Sequence, residues 1–236
     1  MSSIAIPPVS RTVRFYAAPL GKKAVMAVTG VVLLGYVVGH LLGNLQIYSS
    51  NPDQINRYAA FLHNPANAVA LWSIRAFLLL CVGLHITASA QLWWQNRAAR
   101  PVGYHKKNDV PSAYAARTMI WSGPIIGAFI VFHVLHLTAG QVVPLAPDVA
   151  ANAPDVRMNV IAGFHDHPAI AAFYILAMLL LCLHLYHGVW SMFQSVGVNH
   201  PRYTVWLKRL AAIGALLIAI GNISIPVAAL AGWLTY

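Results

Sequence analysis

Residues 169–192 read AIAAFYILAMLLLCLHLYHGVWSM, twenty-four positions without one Asp, Glu, Lys or Arg. A bilayer core about 30 Å thick needs roughly 20 such residues in a helix. Working outward, four more runs reach that length, approximately Ala24–Leu45, Ala68–Trp93, Thr118–Ala139 and Val205–Trp233. The first is longer than the apolar part of a signal peptide. It ends in Gly39-His40-Leu41-Leu42-Gly43-Asn44, which is unlike a cleavage site, so it reads as a retained helix. The expectation is an all-α membrane protein: one domain over residues 1–236, five transmembrane helices, four of them forming a histidine-bearing bundle.

Composition agrees. Of 236 residues 59% are hydrophobic and 8% charged, whereas a soluble domain carries about a quarter charged residues. The only cysteines, Cys81 and Cys182, lie inside apolar runs, which argues against a secreted disulfide scaffold. The net charge of +10 has no water-soluble domain to sit on, so nucleic acid is a poor partner for it. Topology explains it better. With the N-terminus in the cytoplasm, inner segments hold Arg11, Arg14, Lys22, Lys23, Arg97, Arg100, Lys106, Lys107, Arg117, Arg202, Lys208 and Arg209. Four of the five acids, Asp53, Asp148, Asp155 and Asp166, then lie outside. Both biases predict N-terminus in and C-terminus out. The outer loops, 46–67 and 140–168, read as surface loops with short helices, and 97–117 as a basic, turn-rich inner connection.

The polar chemistry rests on eleven histidines, six of them inside the helices: His40, His85, His133, His136, His184 and His187. Counting about 1.5 Å per residue puts His40 and His133 at one depth, roughly 24 Å from the inner surface. His85 and His184, on helices running the other way, share a depth near the inner surface. The two hairpins also echo each other weakly, His63-Asn64-Pro65-Ala66 leading to His85 and His167-Pro168-Ala169 to His184. One histidine on each of four helices, in two depth-matched pairs, suits iron porphyrins held by two imidazoles apiece. No Cys-x-x-Cys-His occurs, so the haem would be b-type. A lone intramembrane histidine more often just hydrogen-bonds a neighbouring helix; four in matched pairs reverse those odds. Zinc is less favoured, since no His-Cys-Asp cluster has short ligand spacing. His136 and His187 each follow a proposed ligand by three residues, so spacing alone leaves either member of each couple free to bind iron. The other would contact a propionate, a quinone or a backbone carbonyl. Gly35, Gly39 and Gly43 are either room for the porphyrin or a close helix contact.

At this point the chain resembles the single-chain, five-helix, di-haem cytochrome b subunit of bacterial succinate:quinone oxidoreductases and fumarate reductases. The likeness runs from Arg14 to the last helix. It rests on Gly39-His40-Leu41, on Leu84-His85, and on Ser122-Gly123 followed ten residues later by His133. Most specific is His184-Leu185-Tyr186-His187-Gly188-Val189-Trp190-Ser191. The resemblance assigns His184 over His187 and His133 over His136. It implies an outer haem on His40 and His133 and an inner haem on His85 and His184. It further implies a flavoprotein subunit that oxidises succinate, an iron–sulfur subunit that relays electrons, and a quinone, leaning to menaquinone, as acceptor. The setting is the bacterial cytoplasmic membrane, where the chain meets lipid, and a higher oligomer of the complex is compatible with it. The inner basic loops then suit docking of the iron–sulfur subunit, although orientation alone also explains each residue.

One departure stands out. The chain has no Glu, so the family's carboxylate proton routes cannot be carried over. His63, His165, Asp166 and His167 are the loop alternatives, though ordinary polar loop roles are favoured for them. Arg75, inside helix two, needs an anionic or carbonyl partner, for which a haem propionate or quinone is the expectation. The same four histidines would serve a di-haem anchor of a hydrogenase or formate dehydrogenase. A transporter using histidines as proton sites would instead be colourless.

Overall fold

The computed structural model describes residues 11–99, 112–148, 153–195, 197–198 and 200–234. Its helices are α1 (Arg11–Ala17), α2 (Pro19–Asn44), α3 (Gln54–His63), α4 (Ala68–Ala98), α5 (Ser112–Leu137), α6 (Val156–His165), α7 (Pro168–Ser195) and α8 (Pro201–Leu230). Short 3-10 turns lead out of α2 and into α4. Five helices, α2, α4, α5, α7 and α8, are long and apolar enough to cross a membrane. A two-residue antiparallel pairing, Pro147–Asp148 with Ala153–Pro154, is the one strand contact among the described residues. It pins the loop before α6.

Local chemistry sets the helix ends. Proline occupies the first position of α2, α7 and α8, where its missing N–H would have no partner anyway. Asp155 caps α6 by accepting the Met158 N–H at 2.9 Å. The last helix stops at Leu230, short of the expected Trp233, because Gly232 turns left-handed at φ 71°. There Trp233 N–H donates to the Ala228 carbonyl and Gly232 N–H to Ala229, closing the helix in a Schellman turn.

Call the end where α2, α5 and α8 begin the near end, and its opposite the far end. At the near end the helices outrun the apolar segments: α2 starts five residues before Ala24, and α4 continues five past Trp93. Hydropathy marks the bilayer, whereas a helix continues until something stops it. Arg97, in the α4 extension, lies over the Trp93 ring at 5.5 Å, and near the start of α8 Lys208 lies over Trp190 at 4.6 Å and Arg209 over Trp206 at 5.2 Å. Lys22 is buried at 4% exposure and donates to the carbonyls of Tyr16 and Ala17, at 3.0 and 2.8 Å. That ammonium closes the C-terminal end of α1 and ties it to α2. Arg100, Lys106 and Lys107, the middle of the basic inner connection, lie outside the described residues.

The close-packed helix pairs are α2 with α4, α2 with α7, α5 with α7, and α7 with α8. These contacts run α4–α2–α7–α5, and Ile86 of α4 comes within 4.0 Å of where a Gly127 Cβ would stand on α5, so α2 lies opposite α5 and α4 opposite α7. At α8, Gly221 takes the Leu41 side chain of α2 so closely that a Cβ there would sit 3.0 Å from it. The main apolar core lies toward the far end, where Ile47, Ile55, Ile161 and Phe164 pack with Phe129, Tyr174 and Ile225. It is a lid: α3 and α6 fold over the bundle end, each large buried apolar side chain contributing about 2 kcal/mol. Polar contacts lock it, with Asn56 donating to Asp155 at 2.9 Å and Arg157 donating to the Ile47 carbonyl at 2.9 Å.

Candidate functional site

Helices are stiff rods, so residues at equal depth on diagonal helices meet in the middle. The His40 ring of α2 lies 5.7 Å from the His133 ring of α5, centre to centre. The His85 ring of α4 lies 6.5 Å from the His184 ring of α7. Neither His136 nor His187 faces a histidine of another helix in this way among the described residues. A metal shared by two imidazoles would stand about 2 Å from each nitrogen, which would put the ring centres roughly 6 Å apart. Both pairs fall close to that separation.

A flat group also needs room beside the rings. Gly35 and Gly39 on α2, and Gly123 and Gly188 beside the His184 layer, would each carry a Cβ with no neighbour within 4 Å. Gly43, the third glycine of the α2 stripe, differs: its Cβ would stand 3.0 Å from Tyr58 of α3. The stripe is therefore open at two positions and a close contact at the third. All four rings of the pairs are half-buried. The residues present fit two haem groups by ring separation and by space. Among the described residues no three His, Cys, Asp or Glu side chains gather as a metal cage, so the pairs stand as two-ligand sets.

Hydroxyl groups orient three of the four rings. His85 Nδ1 lies 3.0 Å from Thr29 Oγ1, and that hydroxyl donates to the Val25 carbonyl at 2.7 Å. With its proton so placed, Thr29 accepts from His85 Nδ1–H, leaving the Nε2 lone pair for a metal. His184 Nδ1 lies 3.4 Å from Ser122 Oγ, and His133 Nδ1 lies 3.2 Å from Tyr174 Oη. His40 has no hydrogen bond among the described residues and instead stacks on Tyr36 at 5.4 Å. A regularity emerges. On α2, Thr29 and His40 are eleven positions apart; so are Ser122 and His133 on α5, while Tyr174 and His184 on α7 are ten apart. Each of these helices carries a histidine of one layer and the hydroxyl serving the other. The layers are thus roughly 16 Å apart along the bundle.

Sequence reasoning missed the roles of Thr29 and Tyr174, and used Ser122 only as a motif. The available signal was the rarity of hydroxyls within these apolar runs. Arg75 lies over the Trp72 ring at 5.0 Å and within electrostatic reach of Tyr36, beside His40. Among the described residues it has no hydrogen bond or ion pair. Of the loop candidates, His63 Nδ1–H donates to the Ala59 carbonyl and His165 Nδ1–H to that of Ala229, both at about 3 Å. Those bonds give both histidines ordinary structural roles. His187 Nδ1 is buried without a hydrogen-bond partner among the described residues, its ring edge-on to Trp190. No family model, curated protein or solved structure matches this chain.

Proposed function

We propose that the chain is the di-haem cytochrome b anchor of a bacterial succinate:quinone oxidoreductase. The observation that carries this is the pair of diagonal histidine couples, His40 with His133 and His85 with His184, at ring separations suited to bis-imidazole iron. Bound there, two b haems supply a one-electron relay across the bundle. The chain's own residues do the rest. The four imidazoles would hold the two groups across the diagonals, with Thr29 and Ser122 hydrogen-bonded to Nδ1 of the near-end pair. The open glycine faces admit the macrocycles. The near end is the cytoplasmic one in this reading, because basic residues crowd it. It meets the iron–sulfur subunit, which receives electrons from a flavoprotein oxidising succinate. Arg75 serves the far-end layer, its unpaired guanidinium presented to a haem propionate or a quinone carbonyl at intramembrane depth.

The same geometry serves a hydrogenase or formate dehydrogenase anchor; the His184–Ser191 pattern favours succinate. Purification of the full chain with its bound subunits separates these. The expected result is a reduced-minus-oxidised spectrum of about two low-spin b haems per chain, a flavoprotein in the complex, and loss of the near-end haem in His184→Ala. A two-haem spectrum in that variant refutes the ligand assignment, a nickel or molybdenum subunit refutes the partner, and a colourless protein refutes both.

A further inference from the structure

Tyr174 Oη lies between two ring nitrogens, His133 Nδ1 at 3.2 Å and His136 Nδ1 at 3.0 Å. A phenol has one proton, so it donates to one ring and accepts from the other. Two polarities are available. In the first, His133 Nδ1–H donates to Tyr174 Oη, and Oη–H donates to His136 Nδ1. In the second, every bond is reversed, and a neutral His133 then carries its proton on Nε2. Only the first leaves the His133 Nε2 lone pair free for a metal. The surroundings fix the three groups in place. His136 is 1% exposed and Tyr174 6%, among the rings of Phe129, Phe132 and Phe164, with Phe173 packed behind Phe129 and Phe132. Among the described residues His136 Nε2 has no hydrogen-bond partner, and it stands 3.0 Å from where a Gly163 Cβ would lie.

We propose that Tyr174 is the positioning residue of the far-end haem ligand, and that it works as the centre of a one-way hydrogen-bonded chain from His133 through Tyr174 to His136. This rests on the haem reading above. Iron at His133 sets the polarity; His136 is the terminal acceptor of the chain, its proton on Nε2 toward Gly163, and is not a ligand. The consequence is electronic. A hydrogen bond from ligand Nδ1–H makes the imidazole more electron-rich and favours oxidised iron. Donation from Tyr174 to His136 polarises the phenol oxygen and strengthens that bond. At the near end the corresponding chain is shorter and ends on main chain, since the Thr29 hydroxyl donates to the Val25 carbonyl rather than to a second imidazole.

The test is a potentiometric titration of the full chain, purified with its bound subunits, for wild type, Tyr174→Phe and His136→Phe. In Tyr174→Phe the far-end haem is expected to favour its reduced form by about tenfold more, a rise of about 59 mV for one electron. The near-end haem stays in place. In His136→Phe both haems are retained, and the far-end shift has the same sign but is smaller. Low-spin resonance positions should change for the far-end haem alone, which loosened packing by itself would not do. Two retained haems with unshifted potentials in Tyr174→Phe overturn the chain while leaving the haem reading intact. Loss of one haem in His136→Phe, with Tyr174→Phe unaltered, makes His136 the ligand and overturns it too. Should Tyr174→Phe fail to assemble, the His136→Phe potential alone decides, no shift being the refuting result. A wild type without haem overturns both this proposal and the function on which it rests.

Discussion

Replacing Thr29 by Val removes one hydroxyl and adds one methyl at a site that is 5% exposed. The structure shows what that hydroxyl does: it donates to Val25 at 2.7 Å and faces His85 Nδ1 at 3.0 Å. In Thr29→Val, His85 loses that hydroxyl partner inside the membrane and keeps only the reach of the Met26 carbonyl. A net hydrogen bond contributes about 1 kcal/mol, and an orphaned buried donor costs roughly 1–3 kcal/mol. On the proposed haem reading, ligation through Nε2 requires the Nδ1–H tautomer, so that loss falls on the haem-bound form. About 1.4 kcal/mol is a tenfold change, so the near-end haem should dissociate about tenfold more readily. The far-end pair lies roughly 16 Å away and should be unaffected. The assay is haem retained per chain during dilution into haem-scavenging apoprotein, followed separately at the two haem bands. Thr29→Ser keeps the oxygen and should restore retention. Equal retention by Thr29→Val and wild type, or loss from the far-end haem instead, refutes the reasoning.

Two further outcomes are expected. In Gly163→Ala the new methyl falls 3.0 Å from His136 Nε2 and 3.2 Å from Cε1, so this packed junction of α5 and α6 should lose about 1–3 kcal/mol, read as a lower melting temperature in detergent. His136→Ala in the same chain should recover part of that loss; a double variant no more stable than Gly163→Ala argues against this contact. In Lys22→Met the Tyr16 and Ala17 carbonyls lose their donor. Amide exchange in α1 should rise about tenfold or more, with the five long helices unchanged.

Depth along a rigid helix was legible from counting alone, which is why His40 faces His133 and His85 faces His184. Rotation about the helix axis was not. These helices are apolar nearly all round, so no polar stripe encodes which side turns inward. Whether Thr29 or Tyr174 meets a histidine depends on that rotation, and so their roles emerge only in three dimensions. Spacing also left His136 level with His133 as a candidate. The structure separates them by surroundings: the His133 ring faces His40, whereas His136 is enclosed by aromatic rings and α6. The helices run past the apolar segments at Arg97 and Lys22 for a different reason. Their long stems keep the helix going past the apolar segment while the charges reach ring faces or carbonyls. The glycine stripe of α2 was ambiguous for the same three-dimensional reason, and resolves into two open positions and one contact.

The rings beneath Arg97, Lys208 and Arg209 have a mechanical consequence. A tryptophan with a cation on its face suits one stratum of a bilayer, the headgroup zone, and resists moving toward either the tails or the water. Three such couples on α4, α7 and α8 act as a waterline, with Lys22 and α1 alongside. A thicker or thinner membrane must then bend its lipids to meet the protein rather than let the bundle ride up or down. The vertical distance from each histidine layer to the near-end water boundary thus becomes a property of the chain, set by covalent spacing along its helices and insulated from changes in the surrounding fat.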